Sequence, residues 1–281
     1  MKTGDIPAVE ALLKSNERRC MNACSRYLNR KGLAAKTWVL QDGGGLCAVL
    51  VYSGRGFLPV LAMQNASPLP FPRFLKSIFR SVSVVSLQGT QEDVLCMETP
   101  MEKAGFAVTE KIDYDLMCID KAPSVSASAF VKCPPGLVMR KPDFSDMESL
   151  AALHRAYEEE EVLGCGREAS PAASRHNMEK IFANEQVLVA QLGGRVVGKI
   201  NTNAASFTRC QIGGVYVCPA CRGLGIARKM AGEFVSGIIA GGTGVSLFVK
   251  KSNRAAVKVY RDIGFETIGN YRINYYRGSH G

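Results

Sequence analysis

The chain is poor in histidine and has no long apolar run, and each shortage removes a class of function. Its 281 residues include three histidines, His154, His176 and His280, none paired at metal-ligand spacing. One Cys-x-x-Cys occurs, Cys218-Pro219-Ala220-Cys221, with no second pair to complete a zinc site. A redox dithiol of the thioredoxin kind opens the first helix of an α/β unit, whereas this pair follows a strand. No metal is therefore expected. Cys221, close to the start of a helix, is expected to have a lowered thiol pKa. The most apolar stretch, Phe234 to Val249, carries four glycines and falls short of the eighteen apolar residues a membrane span needs. The first five residues, Met-Lys-Thr-Gly-Asp, lack the apolar core of a signal peptide. Ten cysteines scattered without a framework then read as reduced thiols, and a cytoplasmic protein is expected.

The net charge is +10 and it is uneven. Up to Lys121 there are 15 basic and 12 acidic residues, and beyond it 20 and 13. The excess sits on the half containing Arg222, Arg228, Lys229, Lys250, Lys251 and Arg254, which are expected to gather around a polyanionic ligand. Nucleic acid would also suit such a surface. The chain lacks aromatic-interleaved basic stretches and a reading helix, so no nucleic-acid partner is expected, and no membrane partner.

The stretch Gln211–Arg228 (QIGGVYVCPACRGLGIAR) organises that half. Ile212, Val215, Tyr216 and Val217 read as a strand, broken at Cys218-Pro219. From Ile226 the apolar residues Met230, Phe234 and Ile238 recur at helical spacing. A strand feeding a glycine-bearing turn and then a helix holds anions, because free N–H groups converge at the positive end of the helix dipole. Gly223 and Gly225 let a phosphate reach the backbone with no Cβ in the way. Neither G-x-G-x-x-G nor G-x-x-x-x-G-K-[ST] is present. Further on, Val245, Leu247 and Val249 alternate as a strand. Asn253 is placed to cap the helix through Tyr260, which stops at Gly264-Phe265.

Arg222-x-x-Gly225-x-Ala227 resembles the acyl-CoA pyrophosphate loop, Q/R-x-x-G-x-G/A, of the GNAT acetyltransferase superfamily. Asn253-x-x-Ala256-x-x-x-Tyr260-x-x-x-Gly264-Phe265 resembles the last block of the same enzymes. The resemblance implies acetyl-CoA as co-substrate, with the loop Arg222, Gly223, Leu224, Gly225, Ile226, Ala227 and Arg228 around its diphosphate. Pantetheine would bond to the backbone of Val215, Tyr216 and Val217, with Asn253 on the CoA arm. An amine would attack the thioester directly, and Tyr260 would protonate the departing thiolate. Many relatives carry a carboxylate base on the fourth strand; here that strand offers Gln211 and no acid. The substitutes are Glu160 and Glu161 of the run Glu158–Glu161, since some tandem GNAT proteins carry Glu-Glu-Val at this place. Four adjacent glutamates cannot share a face, so one or two at most would point inward; the alternative is a solvated acidic helix end.

The implied fold is α/β of the mixed-sheet (α+β) kind, with tandem GNAT-like domains, each a twisted, mostly antiparallel sheet flanked by helices. Residues 137–281 would be the catalytic domain and 122–136, rich in Ala, Ser and Pro, a linker. Residues 1–121 repeat the order of elements without the loop, which suggests a degenerate GNAT-like domain. Glu102-x-x-Gly105-Phe106 echoes Arg261-x-x-Gly264-Phe265. The expected activity is an acyl-CoA-dependent N-acyltransferase moving acetyl to an amine-bearing small molecule or peptide, and a homodimer is compatible with it. The alternative is a non-catalytic acyl-CoA-binding or regulatory protein.

Overall fold

The structure is a computed structural model and describes residues 5–29, 36–42, 45–62, 72–123, 132–163 and 167–277. It is a mixed α/β fold in two compact units. The first gathers Met1–Met117, Phe248–Ser252 and Thr267–Gly281, and the second Cys118–Leu247 and Asn253–Glu266. The units thus trade chain, whereas the boundaries expected from sequence, 1–121 and 137–281, run straight along it. Of the linker expected at 122–136, residues 124–131 lie outside the described residues.

In the first unit α1 (Ile6–Ser15) and α2 (Met21–Leu28) precede β1 (Lys36–Asp42), β2 (Gly45–Tyr52) and β3 (Gly56–Leu61). Then come α3 (Pro72–Arg80), β4 (Ser86–Thr90), α4 (Gln91–Lys103) and β5 (Val108–Ile119). The sequence pattern suggests a strand at 82–87 and a strand pair around 106–118. The first strand begins later, at Ser86, and the pair is a single strand. No glycine or proline interrupts Val108–Ile119, so nothing turns the chain there. The unit is completed by the last of the described strands, β11 (Glu266–Tyr276), which pairs antiparallel with β4, Tyr271 opposite Thr90. Its strand order is β1-β2-β3-β4-β11-β5. Apolar packing explains the recruitment: rings of Trp38, Phe57, Phe79 and Phe106 form a chain of contacts that ends on Tyr276, with centroids 5.3–6.2 Å apart.

The second unit has β6 (Val138–Arg140), α5 (Met147–Tyr157), α6 (Pro171–Asn184), β7 (Val187–Leu192), β8 (Arg195–Ala205), β9 (Arg209–Val217), α7 (Ile226–Ala240), β10 (Gly244–Lys250) and α8 (Arg254–Asp262), with strand order β10-β9-β8-β7-β6. The helix expected from Pro142-Asp143 starts four residues later. Asp143 instead caps a short turn, accepting from Ser145 N at 2.8 Å, while Asp146 accepts from Asp143 N at 2.9 Å. Arg140 grips Asp146 through both Nη atoms and ties the turn to β6. Met147 and Leu150 of α5, Met178 of α6 and Val189 of β7 form the core beneath.

Candidate active site

Every element of the site belongs to the second unit. Parallel pairing of β9 with β10 covers only Arg209–Gln211 against Gly244–Ser246. Among the described residues the ladder stops there, and the main chain of β9 from Ile212 to Val217 faces an open fork. Arg209, buried, rivets the closed end: Nε donates to Ser246 Oγ and Nη2 to the Val245 carbonyl, both at 3.0 Å, and Asp120 pairs with Nη1. On its other side β9 is bulged. Lys199 of β8 stands opposite Tyr216 and Asn201 opposite Gly213, so Ile200 faces two residues, Gly214 and Val215. Gly214 has φ +59°, and a Cβ there would strike Lys199 Nζ and Asn201 Oδ1. Only glycine meets both conditions.

Past Cys218 the chain makes a short turn, Pro219–Cys221, and enters the glycine loop. Gly223 and Gly225 both have φ +76°, and space around Gly223 is open. Gly225 is the N-cap of α7 and no side chain caps it. The first-turn N–H groups of a fifteen-residue helix are therefore left to whatever anion approaches. Ile226 anchors the turn in the core, Ala227 is half-buried, and Leu224 stands out to solvent.

The expected cage of cations does not form from Arg222, Arg228 and Lys229, because each meets a carboxylate of its own unit. Arg228 pairs with Asp262 at 3.5 Å and Lys229 with Glu233 at 2.5 Å. Arg222 holds Glu160 with both Nη atoms at 2.9 and 2.7 Å, and its Nε donates to the Val217 carbonyl at 3.0 Å. Its guanidinium also lies over the Tyr216 ring, 5.1 Å from the centroid, and the Tyr216 hydroxyl donates to Glu160 at 3.2 Å. Lys250 and Lys251 cluster with the first unit. The Cys221 thiol is pushed up, not down: a hydrogen bond with Cys218 leads, followed by burial and the repulsion of a Cys218 thiolate.

The glutamate run is a π-helical turn, Glu158–Val162, at the end of α5, and its four carboxylates part company. Glu158 turns in toward α6, where Ser174 Oγ and Asn177 Nδ2 donate to it. Glu159 takes Arg155 Nε and the Ala169 N–H. Glu160 goes to Arg222, whose hydrogen bond holds its carboxyl below the usual range. Glu161 accepts from Asn253 Nδ2 at 2.9 Å. Asn253 Oδ1 meanwhile caps α8, accepting from Ala256 N at 3.0 Å. Two turns along α8, Tyr260 is buried, with Phe265 edge-on to its ring at 5.7 Å. Burial first, then Tyr157 and Glu161, hold its phenol above the usual range. Thus Tyr260, Asn253 and Glu161 are brought together, while Glu160 is spent on the loop.

Sequence reasoning missed a buried polar group behind the fork. Lys199 and Tyr157 flank the bulge, with Lys199 Nζ 5.2 Å from the Tyr157 ring centroid, and His154 stacks on Tyr157. The available signal was a lysine inside Val196–Ile200, a strand buried along most of its length.

The model of the acetyltransferase (GNAT) family matches residues 147–265, the segment that carries fork, loop and Tyr260. Over 132 residues the chain is 32% identical to N-alpha-acetyltransferase RimI of Mycobacterium tuberculosis, which is 46% of this chain and 81% of RimI. An uncharacterised protein of Mycobacterium leprae is 40% identical over 65 residues, 23% of this chain; the match spans only 17% of that protein's length. Among solved structures, a GCN5-related N-acetyltransferase from Kribbella flavida shares the fold, with TM-score 0.61 over 93% of this chain and 96% of its own at 15% identity. Taken with the forked strands and the uncapped helix, the extent of the RimI match settles the family: the chain belongs to the GNAT acetyltransferases.

Proposed function

We propose that the protein transfers an acetyl group from acetyl-CoA to an amine on a peptide or small molecule. The observation that carries this reading is the pairing of a forked β9 edge with the uncapped N-terminus of α7. The α7 amides and Gly223–Gly225 would hold the diphosphate, and the Val215–Val217 main chain the pantetheine amides. The amine nitrogen attacks the thioester carbonyl, the C–S bond breaks, and the phenol proton of Tyr260 passes to the thiolate. A phenol held above its usual pKa stays protonated at neutral pH, as a general acid must. The amine proton leaves by way of Glu161, which stands beside Tyr260 and Asn253. The cytoplasm is the proposed location; the nine cysteines among the described residues are all free.

The reading is tested by calorimetry with acetyl-CoA and by thiol release over a panel of amines. Gly225→Asp, which puts a carboxylate where the diphosphate belongs, is expected to abolish binding. Tyr260→Phe is expected to keep binding and lower kcat by about 10²-fold or more, the usual share of a general acid. Absence of heat with the wild-type protein would sink the reading. A second reading, binding without turnover, is favoured by one feature: among the described residues β9 carries no carboxylate, Gln211 standing where a base would be useful. Tight acetyl-CoA binding with no thiol release for any amine would select it.

A further inference from the structure

Lys199 is wholly buried, midway along β8. An ammonium that far from water costs several kcal/mol unless it is well partnered, and an apolar side chain of similar volume is often the more stable choice. Its partners define a task. Nζ donates to the Gly214 carbonyl at 2.9 Å and to Asn201 Oδ1 at 3.2 Å, and Asn201 is itself fixed by Nδ2 donating to the Thr202 carbonyl at 2.8 Å. The main chain of Gly214 also hydrogen-bonds the Tyr157 hydroxyl, whose pKa burial pushes up to about 12. The bulged residue, which has lost its ladder partner on β8, is thereby satisfied from both sides by side chains.

We propose that Lys199 is a positioning residue for acetyl transfer: it clasps the Gly214 carbonyl, fixes the bulge in β9, and so sets the direction in which the Val215–Val217 main chain faces the fork. The role rests on the acetyl-CoA reading above. Without the clasp the buried Gly214 carbonyl is left unsatisfied, so the bulge opens more readily and the main chain of Val215 and its successors is no longer held toward the fork. Burial draws the Lys199 pKa down to about 7 against the pull of Glu158, and either form has the two N–H donors that the clasp requires.

The test compares wild type with Lys199→Met and Lys199→Gln by three readouts. These are hydrogen exchange over Gly213–Val217, calorimetry with acetyl-CoA, and the separate KM values for acetyl-CoA and amine. Lys199→Met is expected to melt no lower than wild type, to exchange about tenfold faster over Gly213–Val217, and to bind acetyl-CoA about tenfold more weakly, the loss of one buried hydrogen bond. The amine KM should stay within about twofold, a split that general loosening of the fold would not give. Lys199→Gln keeps an N–H for the carbonyl and should fall between the two, and it carries the comparison if the Met variant fails to fold. Unchanged exchange in a folded variant overturns the proposal, as does faster exchange with wild-type acetyl-CoA affinity. A wild-type protein that binds no acetyl-CoA would instead bring down the acetyl-CoA reading, and the exchange comparison, which needs no ligand, would still decide whether Lys199 holds the bulge.

Discussion

Glu160 shows how far one side chain's role depends on where a turn points it. It resembles a base by its place in a Glu-Glu-Val string, yet it holds Arg222 in a bidentate ion pair with both partners over two-fifths exposed. Exposed pairs of this kind contribute roughly 0–1 kcal/mol, so Glu160→Gln is expected to leave the melting temperature nearly unchanged. It also frees a guanidinium beside the loop. Acetyl-CoA should then bind about two- to fivefold tighter, with a steeper loss of affinity on adding salt; calorimetry at two ionic strengths would check this. Equal affinity and equal salt slope would mean that Arg222 does not feel the ligand. Gly225, Asn253 and Tyr260 were legible in the sequence because their chemistry is local, a backbone angle, a cap and a helix position. The four glutamates were not. Consecutive helical residues are rotated about 100° apart, so the partners of Glu158, Glu160 and Glu161 were fixed by α6, the loop and α8, which come later in the chain, and only Glu159 found a partner on its own helix, Arg155. Lys199 escaped for the same reason, since its two acceptors come together only once β9 has bulged.

At the scale of elements, strands and helices with regular patterns were readable almost residue for residue. Examples are α4, spanning Gln91–Lys103 as its spacing suggests, and the β7–β8 hairpin through Gly193-Gly194. What the pattern cannot give is the sheet an element joins. β11 reads as the last strand of the second half, and its alternation is satisfied equally by either destination. Its place in the first unit is decided by non-local fits: Tyr276 against Phe106, Phe248 stacked on Tyr271 at 4.8 Å, and Asn274 Nδ2 donating to Glu98. Tyr276→Ala should therefore destabilise the first unit by about 3–5 kcal/mol, the range for removing a large buried ring. Protection from exchange should fall over β2–β4 and not over β7. Equal loss in both places would mean that β11 is not an element of the first unit alone.

For the whole molecule, two ionisable groups, the half-buried Asp93 and the buried His154, give the units opposite responses to acid. Burial pushes Asp93 of the first unit up to about 6, whereas unfolded aspartate titrates near about 4. Between those values the folded unit keeps a proton that the unfolded chain has released, so this contribution to stability declines as pH rises from about 4 to about 6. His154 of the second unit is drawn down to about 4, by burial first and Lys199 next; unfolded histidine titrates near about 6.5. There the unfolded chain holds the extra proton, and stability declines as pH falls from about 6.5 to about 4. Asp93→Asn should remove a slope of one sign, and His154→Gln one of the other. Each is worth about 3 kcal/mol across its whole window, read in part as the difference from wild type in exchange protection at pH 4.5 and 6.5. Slopes of the same sign in the two variants would refute the assignment.

The position of β11 also orders events during synthesis. Translation runs from the amino end, and the strand that closes the first unit is made after the entire acetyltransferase segment. Until it emerges, the β4 edge that it will cover is bare, the kind of edge that templates aggregation. A nascent chain stalled anywhere before Thr267 would carry an unfinished first unit, so the cell has a fully assembled amino-terminal half only in molecules that have been read through β11.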